Sequence, residues 1–206
     1  MLFRSPYGLG AIASTDLLER TGLSRPVDWV IVQLRDGGGS NVVDELAAMV
    51  LADGRVVHAD GRSPLYFEFA PRGSYQVSVL HRNHLGAMTA ASALYGTGVV
   101  KLDFSDPALL MYGTEARKTV GTLRALWAGD CNADGTLKYT GGTNDRDLIL
   151  ARIGGVVPTN IVAGYLDEDV NLDGQVIYAG ANNDRDIILQ NIGGVVPTNT
   201  RAEQLP

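Results

Sequence analysis

Residues 130–160 read DCNADGTLKYTGGTNDRDLILARIGGVVPTN, and residues 169–199 write the same unit again as DVNLDGQVIYAGANNDRDIILQNIGGVVPTN. The offset is 39 residues without a gap, and 20 of the 31 aligned positions are identical. Self-similarity at a fixed period marks a duplicated structural unit. Identity is densest at Asp, Asn and Gly, the residue types that are kept when a backbone geometry and a set of oxygen donors are kept together.

Each copy opens with the spacing D-x-N-x-D-G: Asp130, Asn132, Asp134 and Gly135, then Asp169, Asn171, Asp173 and Gly174. Side-chain oxygens at positions 1, 3 and 5 converge on one point when a loop curls around a hard cation, and glycine at position 6 takes the sharp turn. Position 7 offers its carbonyl, here Thr136 or Gln175. An EF-hand loop closes with a bidentate carboxylate at position 12, but that position is Gly141 in one copy and Gly180 in the other. The carboxylate comes later, in Asn144, Asp145, Arg146 and Asp147 and again in Asn183, Asp184, Arg185 and Asp186. An apolar run ending in Gly-Gly follows, which predicts a short helix with an Asn N-cap and acids in its first turn. In the EF-hand the cap lies three residues before the closing acid, so Asp147 and Asp186 are expected to close the loops. Asp145 and Asp184 are the second candidates. The expected cofactor is Ca²⁺, two ions in all.

Charge follows the same division. The 206-residue chain has a net charge of -6, and all of it falls in residues 129–206, with 11 acids against 5 bases; residues 1–128 balance at 12 and 12. Three or four carboxylates within one loop repel by roughly 1 kcal/mol or more per close pair, so empty loops are expected to fray and cation binding to supply folding free energy. An acidic chain is a poor phosphate binder, and no apolar run is long enough to span a bilayer, so neither nucleic acid nor membrane insertion is expected. One cysteine and three histidines leave no internal disulfide and little for zinc. Cys131, at loop position 2, is expected to be a small apolar filler.

Upstream, residues 29–34 (WVIVQL), 49–51 and 56–58 around Ala52-Asp53-Gly54-Arg55, 65–69, 75–80, 99–104 and 123–128 read as short strands separated by turn signals. That pattern predicts an antiparallel β-sandwich, Ig-like, over residues 27–128. Arg117 to Val120 reads as a helical turn. Residues 1–26 have weak periodicity and read as a leader segment. Met1 to Ser5 (MLFRS) look like a translated sequencing-adapter tail, so the chain is expected to be a piece of a longer protein that starts upstream. The fold class expected is therefore mixed, the β-sandwich being followed over residues 129–206 by a small α module of two calcium loop-helix repeats.

The tandem repeats resemble the dockerin family, on Asp130, Asn132, Asp134, Gly135, Leu137, Asp147, Leu148 and Leu150 and on Asp169, Asn171, Asp173, Gly174, Val176, Asp186, Ile187 and Leu189. The extended form with N-D-R-D and G-G-V-V-P-T-N is similar to the C-terminal region of secreted, haemagglutinin-type surface proteins of gliding and related bacteria. The resemblance implies calcium binding, a secreted or cell-surface bacterial location, and adhesion or attachment to a protein or glycan partner. An alternative is the non-catalytic dockerin-bearing part of an extracellular polysaccharide-degrading enzyme, or a carbohydrate-binding β-sandwich with His84 in the sugar site. Dockerins meet cohesins through loop positions 10 and 11, which here are Tyr139-Thr140 and Tyr178-Ala179.

Three further features have plain readings. His81-Arg82-Asn83-His84 reads as a polar loop docking the β unit onto the repeats, Trp29 and Trp127 as core, and Tyr139 and Tyr178 as packing over the helices. No Ser-His-Asp, Cys-His, paired-glutamate or phosphate-loop arrangement emerges, so the chain is not expected to be an enzyme.

Overall fold

The computed structural model describes residues 3–206; Met1 and Leu2, the start of the adapter-like stretch, lie outside the described residues. The chain is mostly antiparallel β-structure with few helices, which is compatible with a β-sandwich. It divides into two compact units, one of residues 1–81, 88–113 and 205–206, the other of residues 82–87 and 114–204.

In the first unit β1 (Pro26–Asp36) pairs antiparallel with β2 (Asn41–Leu51), and β2 turns through residues 52–55 into β3 (Val56–Val57). The opposite edge of β1 takes the C-terminal half of β4 (Gly73–His81), with Ile31 opposite Leu80 and Arg35 opposite Gln76. Alternation along β1 divides two apolar clusters. Val30, Val32 and Leu34 pack with Ala48, Phe67 and Tyr75 on one face, and Trp29 packs with Ala47, Met49, Leu51, Ala13 and Leu17 on the other. Full burial of such a side chain contributes about 1.5–3 kcal/mol.

Residues 3–26 are part of this core. Leu17, in the single-turn helix α1 (Thr15–Leu18), is fully buried, and Tyr7 donates its hydroxyl to the Trp29 carbonyl at 3.0 Å. The expected leader thus covers one face of the sheet. The strand expected at 65–69 does not form, because side chains take the place of a neighbouring strand. Tyr95 Oη receives Phe67 N–H at 3.2 Å and donates to Phe67 O at 2.7 Å, and Asp44 accepts Phe69 N–H and Ala70 N–H. The strand expected at 99–104 is also missing, and Val99 is 77% exposed. Two strands that the apolar pattern does not mark are present, β5 (His84–Met88) and β6 (Ala93–Tyr95), the latter pairing with the start of β4.

In the second unit, β7 (Lys118–Val120) and β8 (Leu123–Ala125) form a hairpin where a helical turn was expected. β9 (Trp127–Ala128) pairs with His84 and Leu85 of β5. The repeats then supply β10 (Thr136–Lys138), α2 (Asp145–Arg152) and β11 (Ile161–Ala163), followed by β12 (Gln175–Ile177), α3 (Asp184–Asn191) and β13 (Thr200–Ala202). The strand after each helix pairs with the loop strand of the other repeat: β11 with β12, and β13 with β10. The exchange continues one residue further, with Gly164 N–H donating to Gly174 O at 3.0 Å and Glu203 N–H to Gly135 O at 2.8 Å. Each repeat is therefore completed by its partner.

Cys131, Val170, Ile149, Ile188, Ile153 and Val176 form the apolar centre of this unit, and Leu137 and Ile192 pack with Leu85 beside it. Cys131 and Val170 share one repeat position and both fill the core. The two helices are eight residues each, started by Asn144 and Asn183 and ended before Gly-Gly. The unit is therefore built from short helices and exchanged strands together, not from helices alone.

Ending the chain after Asn199 removes β13 and leaves β10 without a partner. Hydrogen exchange at residues 136–138 should accelerate towards that of an open loop, while residues 175–177, paired with β11, stay protected; unchanged exchange at 136–138 would show that the crossing strand carries no stability.

Candidate metal centre

Each D-x-N-x-D-G arm is curled by its own main chain. In the first loop Asp130 Oδ1 accepts Asp134 N–H at 3.1 Å and Oδ2 accepts Gly135 N–H at 3.0 Å. Asn132 Oδ1 also accepts Asp134 N–H, at 3.0 Å, and Asp134 Oδ1 accepts Thr136 N–H at 2.9 Å. The second loop repeats the set, with Asp169 receiving Asp173 and Gly174 N–H, Asn171 receiving Asp173 N–H, and Asp173 receiving Gln175 N–H at 2.9 Å. Gly135 and Gly174 have φ of 75° and 88°, as the sharp turn requires. Ala133 and Leu172 take the same left-handed region without being glycine, at φ 54° and 59°, a strain of about 1 kcal/mol or more each that the network around them holds in place. Thr136 and Gln175 begin β10 and β12.

The side chain that closes each loop on itself is the earlier aspartate of N-D-R-D. Asp145 is 0% exposed; its Oδ1 accepts Cys131 N–H at 2.9 Å and its Oδ2 accepts Lys138 N–H at 2.8 Å. Asp184, also 0% exposed, accepts Val170 and Asn171 N–H through Oδ1 and Ile177 N–H at 2.8 Å through Oδ2. Asp147 and Asp186 take part in the helix caps: the Asn144 side chain accepts Asp147 N–H and donates to Asp147 Oδ2, with Asn183 and Asp186 matching it, and Arg146 and Arg185 bond the same carboxylates from outside. The first helical residue points back at the loop, whereas the third lies against the N-cap on the helix flank. Counting from the cap therefore selects the acid on the helix flank, not the enclosed one. Asp145 and Asp184 stand at loop position 16, four beyond the EF-hand's twelve.

Burial pushes the Asp145 carboxyl up to about 7 and Asp184 up to about 6, and it raises Asp130 and Asp169 as well. Yet both oxygens of Asp145 face N–H donors, which suit only the ionised form; a protonated carboxyl would turn an O–H against one of them. The two influences conflict, and a cation in the loop would resolve them. The local donors are hard oxygens throughout: carboxylates of Asp130, Asp134 and Asp145, the Asn132 amide, and main-chain carbonyls, with the same set around Asp169. That chemistry fits Ca²⁺. Among the described residues no three His, Cys, Asp or Glu side chains stand gathered as a ready metal cage; a site of this type draws on amide and main-chain oxygens for the rest of its shell.

Around the loops, Arg146 lies over the Tyr139 ring at 5.0 Å and Arg185 over Tyr178 at 4.9 Å, so these tyrosines pack against the helix starts. Trp29 is core, whereas Trp127 is only half-buried, with the Arg201 guanidinium 3.6 Å from its ring centroid. The H-x-x-H pair is not assembled as a ligand set. His81 pairs with Asp28 at 3.1 Å inside the first unit, and His84 Nδ1 lies 2.7 Å from Asn83 Oδ1 in the second. Asn83 is the residue that sequence reading undervalued. Fully buried, it receives Gly129 and Asp130 N–H on its carbonyl and donates Nδ2 to the Asp167 and Asp169 carbonyls at 2.9 and 2.8 Å. It thus holds the first residue of both loops, and nothing in the string HRNH distinguishes it from a solvated turn.

A folded pKa above the ordinary 3.8 means that the folded chain keeps protons that the unfolded chain has released. In chelator, stability should therefore fall as pH rises from about 4 to about 7. Saturating calcium, which competes with those protons, should reverse that slope, and identical slopes with and without calcium in calorimetric melts would contradict it. Asp145→Ala should abolish the calcium response of the first loop, while Asp147→Ala should cost only about 0.5–2 kcal/mol as a weakened helix start and leave the response in place.

No protein-family model, no curated protein and no solved structure matches the chain.

Proposed function

We propose that this chain is the calcium-dependent structural part of a secreted or surface-displayed bacterial protein, with Ca²⁺ held in two EF-hand-like, dockerin-like loops and attachment to a protein or glycan partner as its output. The observation that carries the reading is the duplicated buried carboxylate. Asp145 and Asp184 are wholly enclosed, and both oxygens of each accept main-chain N–H from their own loop. A buried carboxylate in these surroundings is costly without a counter-charge. Two divalent ions would neutralise most of the local charge and tie each loop to the helix that follows it. In this reading the first unit is an Ig-like sandwich serving as scaffold, and the chain binds without catalysing.

Residues divide the work as follows. Asp130, Asn132, Asp134 and Asp145 supply side-chain oxygens in the first loop, and Asp169, Asn171, Asp173 and Asp184 do so in the second. Thr136 and Gln175 offer main-chain carbonyls. Exposed aromatics favour a second reading for the first unit: Tyr66 and Phe69 are 71% and 78% exposed, and aromatic faces of this kind suit sugar rings. Loss of glycan-array binding in a Tyr66→Ala, Phe69→Ala variant would support that role, and no binding to any glycan by the parent chain would end it.

The test of the main reading is thermal. Calcium at one hundred times its Kd should add about 2.7 kcal/mol per site, with heat on titration and a raised Tm that chelator reverses. The Asp134→Ala, Asp173→Ala double variant should melt alike in calcium and in chelator. A parent chain whose melting ignores both would overturn the proposal.

A further inference from the structure

The two crossing strands occupy equivalent places but are held by different means. At the repeat offset of 39 residues, Val162 of β11 corresponds to Arg201 of β13. Val162 packs onto the apolar centre of the unit, and the second repeat opens a few residues later at Asp169, so β11 is fixed at both ends. β13 lies beyond both repeats, and among the described residues none of its side chains joins the apolar clusters. Thr200 and Ala202 are exposed. What holds this strand, besides its main-chain pairing with β10, is polar.

The polar contacts form a matched set. The Arg201 guanidinium lies 3.6 Å from the Trp127 ring centroid, donates Nη1 to Glu115 Oε2 at 3.0 Å, and donates Nε to the Asn191 carbonyl at 2.9 Å. Glu203 follows two residues on, the spacing that keeps side chains on one face of an extended chain, and its Oε1 accepts Gly86 N–H at 2.6 Å. Gln204 Oε1 accepts Thr114 N–H at 3.1 Å. The receiving side has supports of its own. Asn191 is buried, with its side chain bonded to the Ala128 carbonyl and to Lys118 Nζ. Glu115 takes a left-handed backbone at φ 55°, and its carbonyl receives Trp127 Nε1–H at 2.8 Å. A residue other than glycine persists in that region only where its surroundings hold it.

We propose that the edge of β10, with Trp127, Glu115 and Gly86 beside it, is a docking site for an extended segment carrying a basic residue and, two residues on, an acidic one. Residues 200–204 fill it within one chain, and the same residues of a second copy are its partner. That copy is the occupant because its strand carries the matching charges at the matching spacing. Two copies that trade these strands make the contacts each makes alone, so the closed and exchanged forms differ mainly by the entropy of association and by strain in the linker. The linker, residues 193–199, is exposed throughout and contains Pro197; Thr140 Oγ1 donating to the Pro197 carbonyl and Asn199 Nδ2 donating to the Ile192 carbonyl brace it. In the exchanged pair each copy supplies the strand that covers the other's first loop, since Glu203 N–H donates to Gly135 O. A tethered strand acts at an effective concentration of order millimolar, so exchange takes concentrated protein or transient opening. The inference stands apart from the calcium reading.

Two measurements on the full chain, with calcium chloride present, test this. The first needs no variant: donor-labelled and acceptor-labelled parent chains, mixed, concentrated and warmed below the melting temperature, should give a dimer by light scattering with energy transfer between the labels. The Arg201→Ala, Glu203→Ala variant should form that dimer at least about tenfold less readily. The second measures docking directly. A fluorescent peptide of residues 198–206 should bind this variant saturably and the parent at least about tenfold more weakly, because the parent's own strand competes; the peptide with both residues replaced by Ala should bind neither. Hydrogen exchange at residues 175–177 equal to the parent's shows that the variant is folded. A parent that stays monomeric at every concentration, or a dimer that the variant forms equally well, would overturn the exchange. Failure of the peptide to bind the folded variant would overturn the docking site.

Discussion

Asp145 and Asp184 place a carboxylate inside each loop with no surface of its own, and the main-chain N–H groups they accept come from the far end of the same loop. The rest of the second unit is arranged around that enclosure. The aspartate is the first residue of its helix, so the helix start must abut the loop. The Asn cap one residue earlier sets the angle, and the apolar side of the helix then falls on Cys131, Val170 and their neighbours. A buried anion of this kind destabilises a small unit when unpaired, and the fold tolerates it because the N–H donors and strand exchange hold the loop closed around it.

The exchange of strands makes the two repeats one structure. Neither copy of the motif holds the strand that covers its own loop: β13 covers the first and β11 the second. This explains the duplication physically. One copy would leave β10 or β12 with an open edge and too little apolar surface to bury, since single small units fall short of independent stability. Asn83 adds a second tie, its main-chain carbonyl receiving Asp130 N–H and its buried side-chain Nδ2 donating to the Asp167 and Asp169 carbonyls.

Much of the loop chemistry could be read from residues alone. The D-x-N-x-D-G arms, the Asn caps, the helix ends at Gly-Gly, the apolar role of Cys131 and the long strand at 29–34 all follow from local rules of donor spacing, capping and alternation. The rest turned on places where a local rule had two solutions or none. Asp145 and Asp147 sit two apart on a helix start, and only the direction of the chain entering it decides which one turns inward. Residues 65–69 alternate like a strand, but the Tyr95 hydroxyl and the Asp44 carboxylate met their main-chain groups first. Residues 3–26 lack periodicity because they cover the sheet with a turn of helix and scattered contacts from Tyr7, Ala13 and Leu17.

The sequence by itself determined that two copies of one acidic loop-helix unit exist and which oxygen-bearing side chains they carry, because residue spacing and helix capping are properties of neighbouring residues. Only the tertiary structure decided which aspartate is enclosed, which strand crosses to which loop, and that Asn83 and Glu203 belong beside them. Those partners lie tens of residues apart and share no pattern. Burial and reciprocal hydrogen bonding, not the chain's local rules, bring them together.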